Sequence, residues 1–438
     1  MRYRILIAGL AAILLTGVGA VFGLRQGESP DASTAQAAGS LTPGQARADQ
    51  LAGTIARAQV QLGAVPGDYA TWAALGSAYI ERARVTADPT YYPKAEGALR
   101  RSLKLQPRGN PAALVGLGAL ANARHEFATA RDLAHRALRA DPYSADAYGV
   151  LADAQTQLGN PPAATEAIQH MLDLRPGLAA YARASYDLEQ QGRLGDAAAL
   201  MRRALGDAVD AADIAFCRYQ LGELAWRAGR LGDAETEYAA GQAADHAYLP
   251  LLAGQARVAA ARGHTVTALA DYAELTARYP SPGYLMDYAA LLRATGQPAR
   301  AGQQLALAAA ALRLFQANGG TDDLGVAQLA LAQGHAQRAV LAAKREWSRR
   351  HFADVADVLG WALHQSGASA KAIFYAREAD ALGAHNSGYL FHLGMIELSL
   401  GRNGDARRDL SAALALNPRF SPLDAPIAMA ALHRLGPR

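Results

Sequence analysis

Glycines at positions 159, 192, 229, 263, 296, 334, 367 and 401 recur at steps of 33, 37, 34, 33, 38, 33 and 34 residues, and no local motif constrains the chain as strongly. Each glycine separates two Ala/Leu-rich stretches of helical length, where a reversing chain needs a residue that tolerates the left-handed conformation. An alanine follows five residues later in every case: Ala164, Ala197, Ala234, Ala268, Ala301, Ala339, Ala372 and Ala406. Ala95 and Ala130 hold the same register earlier in the chain. A small side chain at one fixed point of every second helix is what close helix–helix contact demands. Pro107, Pro142, Pro176, Pro280 and Pro418 each lie twelve residues after their alanine, where proline ends the second helix.

The first helices carry a signature of their own. Trp72, the pair Leu75-Gly76 and Tyr79 fall on one helical face. Leu117-Gly118, Leu151-Ala152, Leu221-Gly222, Leu359-Gly360 and Leu393-Gly394 repeat the central pair, and the fullest unit runs from His385 to Pro418. This pattern resembles the tetratricopeptide repeat (TPR), with its Trp, Leu-Gly, Tyr, Ala and Pro positions over 34 residues. The resemblance implies an all-α fold, a right-handed superhelical solenoid of about ten helix–turn–helix repeats. The array is expected over residues 69–420, with capping helices at 42–68 and 421–438. The units near 178–210 and 283–318 lack the Leu-Gly pair, and the second has a lengthened Ala-rich helix from about Pro298 to Ala317.

Composition agrees with thin stacked helices. Alanine supplies nearly a quarter of the 438 residues while aromatics make up only 7%, so the interior cannot be thick. Apolar content is high and the net charge is only +4, which excludes a disordered chain. The basic residues are almost all Arg and are scattered among acids, so there is no basic stripe and no nucleic-acid partner is expected. The single cysteine, Cys217, excludes an internal disulfide.

The N-terminus reads as an export segment. Arg2 and Arg4 precede an uncharged run from Ile5 to Leu24, and Glu28 and Asp31 follow it. At ~1.5 Å per residue such a run just spans a bilayer core of ~30 Å. The charge asymmetry favours a cytoplasmic N-terminus and an extracytoplasmic body. Residues 1–24 are therefore expected to form one transmembrane signal anchor in the cytoplasmic membrane, contacting it through residues 5–24. The alternative is a signal peptide cleaved near Val18-Gly19-Ala20 and a secreted protein. Residues 25–41 are small and polar and read as a flexible linker.

The TPR resemblance implies that the first helices line a concave groove suited to protein or peptide partners. Laid on this chain, that face offers Asp146, Asp153, Tyr186, Glu189, Phe216, Tyr219, Glu223 and Trp226, then Asp357, Trp361, His364 and Phe391, with Met395 beside it. Tyr and Trp are efficient binding anchors, and interleaved carboxylates would favour a basic segment. No phosphate-binding loop, nucleophile elbow or His-Glu-x-x-His helix is present, and His364, His385 and His392 have no carboxylate support in the sequence pattern. Catalysis, a metal and a cofactor are therefore not expected. The leading expectation is a membrane-tethered, extracytoplasmic scaffold. The alternatives are a cytoplasm-facing anchored regulator and a periplasmic ligand- or metal-binding protein.

Overall fold

A computed structural model describes residues 43–384 and 386–436; the apolar run, the linker and His385 lie outside the described residues. Twenty-two α-helices and no strands occupy the described residues. Helix α1 (Pro43–Ala64) precedes ten helical hairpins, and α22 (Asp424–Leu435) follows them. The first helices of the hairpins are α2 (Tyr69–Thr86), α4 (Pro111–Ala123), α6 (Ala145–Leu158), α8 (Leu178–Gln190), α10 (Ala211–Arg227), α12 (Pro250–Ala261), α14 (Pro282–Ala294), α16 (Asp323–Ala332), α18 (Ala353–Gln365) and α20 (Ser387–Ser399). Their partners are α3 (Tyr91–Leu105), α5 (Phe127–Ala140), α7 (Pro161–Leu174), α9 (Leu194–Asp207), α11 (Leu231–Ala244), α13 (Thr265–Arg278), α15 (Pro298–Ala317), α17 (Ala336–Trp347), α19 (Ser369–Ala379) and α21 (Asn403–Leu416). Among the described residues no helix is long and apolar enough to cross a membrane.

The sequence period explains the hairpins. All ten register alanines are buried, from Ala95 to Ala406, because each sits where the second helix crosses the first. The complementary device on the first helix is glycine. The Tyr238 ring of α11 lies between Gly222 of α10 and Gly254 of α12, and a β-carbon at either glycine would overlap it. A small residue on one helix thus makes room for a large one on its neighbour, which is how helices pack without voids.

Most consecutive first helices also touch one another, a pairing the second helices match less closely. The first helices therefore occupy the inside of the curve. Curvature brings the array back onto itself. Tyr279 Oη donates to Arg84 O at 3.4 Å, 195 residues away. The Thr321 N–H donates to Arg124 O at 2.9 Å, and the His351 N–H to Leu158 O at 3.3 Å. Arg350 Nη1 donates to Gln157 Oε1 at 2.7 Å, and Asn417 Nδ2 to Trp226 O at 2.8 Å, with separations of 193 and 191 residues. This near-constant offset means that one coil is completed in five to six repeats and the next coil rests on it. A solenoid held only by nearest neighbours would show none of these contacts.

Two irregularities in the sequence belong to this seam. Where the third to tenth hairpins have glycine, the second has His125, held at φ 62°, and the first has Ala87. The His125 ring stacks on Phe127 at 5.6 Å and meets Phe315 at 5.1 Å, with Asp322 3.9 Å from Nδ1. Phe315 comes from the last turn of α15, the lengthened helix, which delivers it to the first coil. Arg350 is the second pin: it is buried, pairs with buried Glu346, and lies over the rings of Phe127 and Phe352.

Candidate functional site

The inside of the coil is lined by charged and aromatic side chains from consecutive first helices. Asp153 of α6 accepts two hydrogen bonds from Arg183 of α8, from Nε and Nη2, at 2.8 Å each. Glu189 of α8 pairs with Arg227 of α10 at 2.7 Å. Glu223 of α10 pairs with Arg257 of α12 and also accepts from Tyr238 Oη at 2.7 Å. In the second coil, Asp357 of α18 lies 2.8 Å from His392 Nδ1 of α20, and Tyr389 Oη donates to Asp354. Each acid is thus answered by a partner about one repeat further on, forming a ladder of inter-repeat pairs.

The ladder works in a dehydrated setting. Burial raises the carboxyl pKa of Asp153, Glu189 and Asp354, outweighing the Arg183, Arg227 and Tyr389 partners that lower it. Such pairs contribute little net stability, because desolvation offsets their attraction, yet removing one partner strands a buried charge. Tyr186 and Arg227 of the first coil also lie within electrostatic range of Asp354 of the second, so side chains of both coils meet in the interior.

The twelve residues expected on the inner face fall into two groups. Asp146, Asp153, Tyr186, Phe216 and His364 are half-buried, whereas Glu189, Tyr219, Glu223, Trp226, Asp357, Trp361 and Phe391 are buried. Asp146 pairs with Arg175 at the start of the ladder. Tyr219 packs against Tyr238 and Tyr248, with centroids 6.1 and 6.0 Å away. Trp361 is stacked between His364 at 5.0 Å and His392 at 4.2 Å, with Phe391 at 5.7 Å. Burial and the neighbouring His392 lower the His364 pKa to about 4, so its ring is neutral near pH 7; its Nδ1 lies 2.9 Å from Ser369 Oγ. The acids among the twelve that lie on the ladder have their partners within the chain. The repeat signature does not single out their partners Arg183, Arg227, Arg257 and His392, although each lies about one repeat beyond its acid and that spacing is a readable signal.

One acid breaks the pattern. Asp287 of α14 has no hydrogen bond or ion pair among the described residues. The next first helix, α16, is Asp-Leu-Gly-Val-Ala-Gln-Leu-Ala-Leu-Ala and has no basic side chain to offer. Burial, with Glu223 nearby, raises the Asp287 carboxyl to about 7 despite the opposing influence of Arg257. Asp287 lines a cavity of about 240 Å³ between helices α10 to α14 and the segment 418–429. Among the described residues no group of three His, Cys, Asp or Glu is placed to hold a metal ion.

No family model matches the chain, and no curated protein matches it. Solved structures do resemble it. A tetratricopeptide repeat protein from Parabacteroides merdae ATCC 43184 is 17% identical, with 59% of this chain and 98% of that one covered and a TM-score of 0.36. The human IFIT1 dimer with PPP-AAAA is 14% identical over 72% and 73% of the two chains, with a TM-score of 0.45. PilW, a type IV pilus biogenesis factor, is 18% identical over 54% and 92%, with a TM-score of 0.36. All three TM-scores lie below 0.5, so function has to be argued from the geometry of this chain.

Proposed function

We propose that this chain is a membrane-tethered, extracytoplasmic scaffold of the tetratricopeptide type that holds a protein or peptide partner along its inner face, without catalysis of its own. The supporting observation is the form of that face. Its side chains extend along consecutive first helices instead of converging on one reacting point, and an extended wall suits an elongated partner. On this proposal Asp146, Asp153, Tyr186, Phe216 and His364 make the contacts, while buried Glu189, Tyr219, Glu223, Trp226, Asp357, Trp361 and Phe391 hold the wall in shape. Residues 5–24 anchor the body in the cytoplasmic membrane and residues 25–41 space it away, the apolar run and its flanking charges being the support.

Two measurements test the proposal. Photo-crosslinkers placed at Tyr186 and Phe216 should trap a partner that one at Tyr143, an exposed residue in the turn before α6, does not trap. Equal trapping at Tyr143 would remove the inner face from the account. Protease added to spheroplasts should digest the repeat body. Full protection would instead place it on the cytoplasmic side.

A further inference from the structure

The cavity at Asp287 is a site of a different kind, independent of whether the inner face holds a partner. Helices α10, α12, α13 and α14 form its floor and the C-terminal segment 418–429 its roof, so the cavity exists because the end of the array folds back over its middle. Its wall is mainly apolar and aromatic, with Trp226, Tyr272, Phe420 and Met429 around the charged groups Arg257 and Asp287, and a third charged group, Arg419, at the rim. At about 240 Å³ it is smaller than a drug-sized pocket and fits a group the size of one side chain.

One acidic group within it has no direct partner. Arg257 is neutralised by Glu223 and lies over the Trp226 ring at 5.6 Å. Arg419 is exposed at the rim and makes no ion pair with Asp287, which is left a carboxyl without a hydrogen-bonded or ion-paired partner, and α16 has no base to supply one. An unpaired carboxylate facing a low-dielectric, aromatic cavity is costly until a cation enters, and aromatic faces favour a cation further. We infer that this cavity is a binding site for an alkylammonium group, with Asp287 as the counter-ion and Trp226, Tyr272 and Phe420 around the alkyl chain. An ammonium can come from a free small amine or from a lysine side chain of a protein, and both have the same chemistry at this site.

The site should respond to pH. Arg257 on α12 and Glu223 on α10 are the charged groups acting on Asp287, Tyr272 faces it from α13, and Arg419 is exposed at the rim. Because the Asp287 carboxyl is raised to about 7, an incoming cation must displace its proton at neutral pH, and binding weakens as the pH falls below that value.

The test is calorimetric titration of the full chain in detergent with n-butylammonium chloride, with butan-1-ol as the uncharged control. A second titrant, acetyl-Ala-Lys-Ala-amide, distinguishes the two sources. Saturable binding of an amine, lost by on the order of tenfold or more in Asp287→Asn, retained in Asp287→Glu and weaker at pH 6 than at pH 8, is the expected result. Tighter binding of the peptide would identify a protein lysine, and tighter binding of butylammonium a free amine. Absence of binding by both amines, binding of butan-1-ol equal to that of butylammonium, or unchanged affinity in a folded Asp287→Asn protein would overturn the inference. Circular dichroism establishes that the variant is folded.

Discussion

The hairpin turns at Gly159 and Gly229 and those at Gly367 and Gly401 look alike in sequence and adopt the same left-handed backbone, with φ of 77°, 68°, 88° and 72°. Their surroundings differ. A β-carbon at Gly159 would collide with the carbonyl of His351, and one at Gly229 with the carbonyl of Leu416, whereas at Gly367 and Gly401 it would meet nothing. In the first coil the glycine both turns the chain and lets the next coil settle on it. At the far end of the array it only turns the chain. One repeated residue therefore has two physical roles, and which role it has depends on residues almost two hundred positions away.

Breaking the seam elsewhere should give the largest effect. Arg350→Ala removes one partner of a buried ion pair and the bond to Gln157, and is expected to cost about 3–5 kcal/mol. If the seam couples the coils, the unaltered chain melts in one transition and this variant in two, by denaturant titration followed by circular dichroism. Next come the glycines. Alanine at a left-handed position costs about 1–2 kcal/mol, and Gly367→Ala and Gly401→Ala should lose no more than that. Gly159→Ala and Gly229→Ala should lose more and also increase the radius of gyration in X-ray scattering. Equal losses at all four positions would erase the comparison.

The ladder offers a smaller and more local contrast. Asp153→Ala leaves Arg183 buried without its carboxylate and should destabilise the chain by about 1–3 kcal/mol. Asp287→Asn should do the opposite above neutral pH. A carboxyl raised to about 7 in the fold holds its proton where the unfolded chain has released it, so its unfavourable contribution grows from the unfolded value of 3.8 up to about pH 7. The variant's melting temperature should therefore exceed that of the unaltered chain at pH 8, and the difference should vanish near pH 4. His364 makes the smallest contribution, with the opposite slope. Its folded pKa of about 4 means that stability falls as the pH drops from 6.5 towards 4, and His364→Gln should flatten that part of the profile.

Much of the fold was legible because it is local. Ala164, Ala234 and Ala372 mark the crossing of two helices joined by one short turn, and a period of about 34 residues repeats that geometry often enough to be recognised. The seam was illegible because its partners, such as Arg124 with Thr321 or Trp226 with Asn417, lie almost two hundred residues apart and include backbone atoms that any residue would supply. Its traces were oddities whose meaning needs three dimensions: a histidine where the register calls for glycine at 125, and the extra length of α15 that carries Phe315. The inner face was half legible in the same way. Its acids could be placed on a helical face, but an acid read alone looks free, and only the neighbouring helix shows that Glu223 is taken by Arg257 and Asp287 by nothing.

Amide hydrogen exchange decides whether the second coil rests on the first. The Thr321 and His351 amides lie between helices, and their hydrogen-bond acceptors, Arg124 O and Leu158 O, belong to the other coil. If the coils are stacked, both amides exchange as slowly as helix-terminal amides such as Gly334, whose acceptor is Leu331 O within its own hairpin. Exchange at both sites at the rate of unstructured backbone, with Gly334 still protected, would show an open solenoid whose coils do not stack.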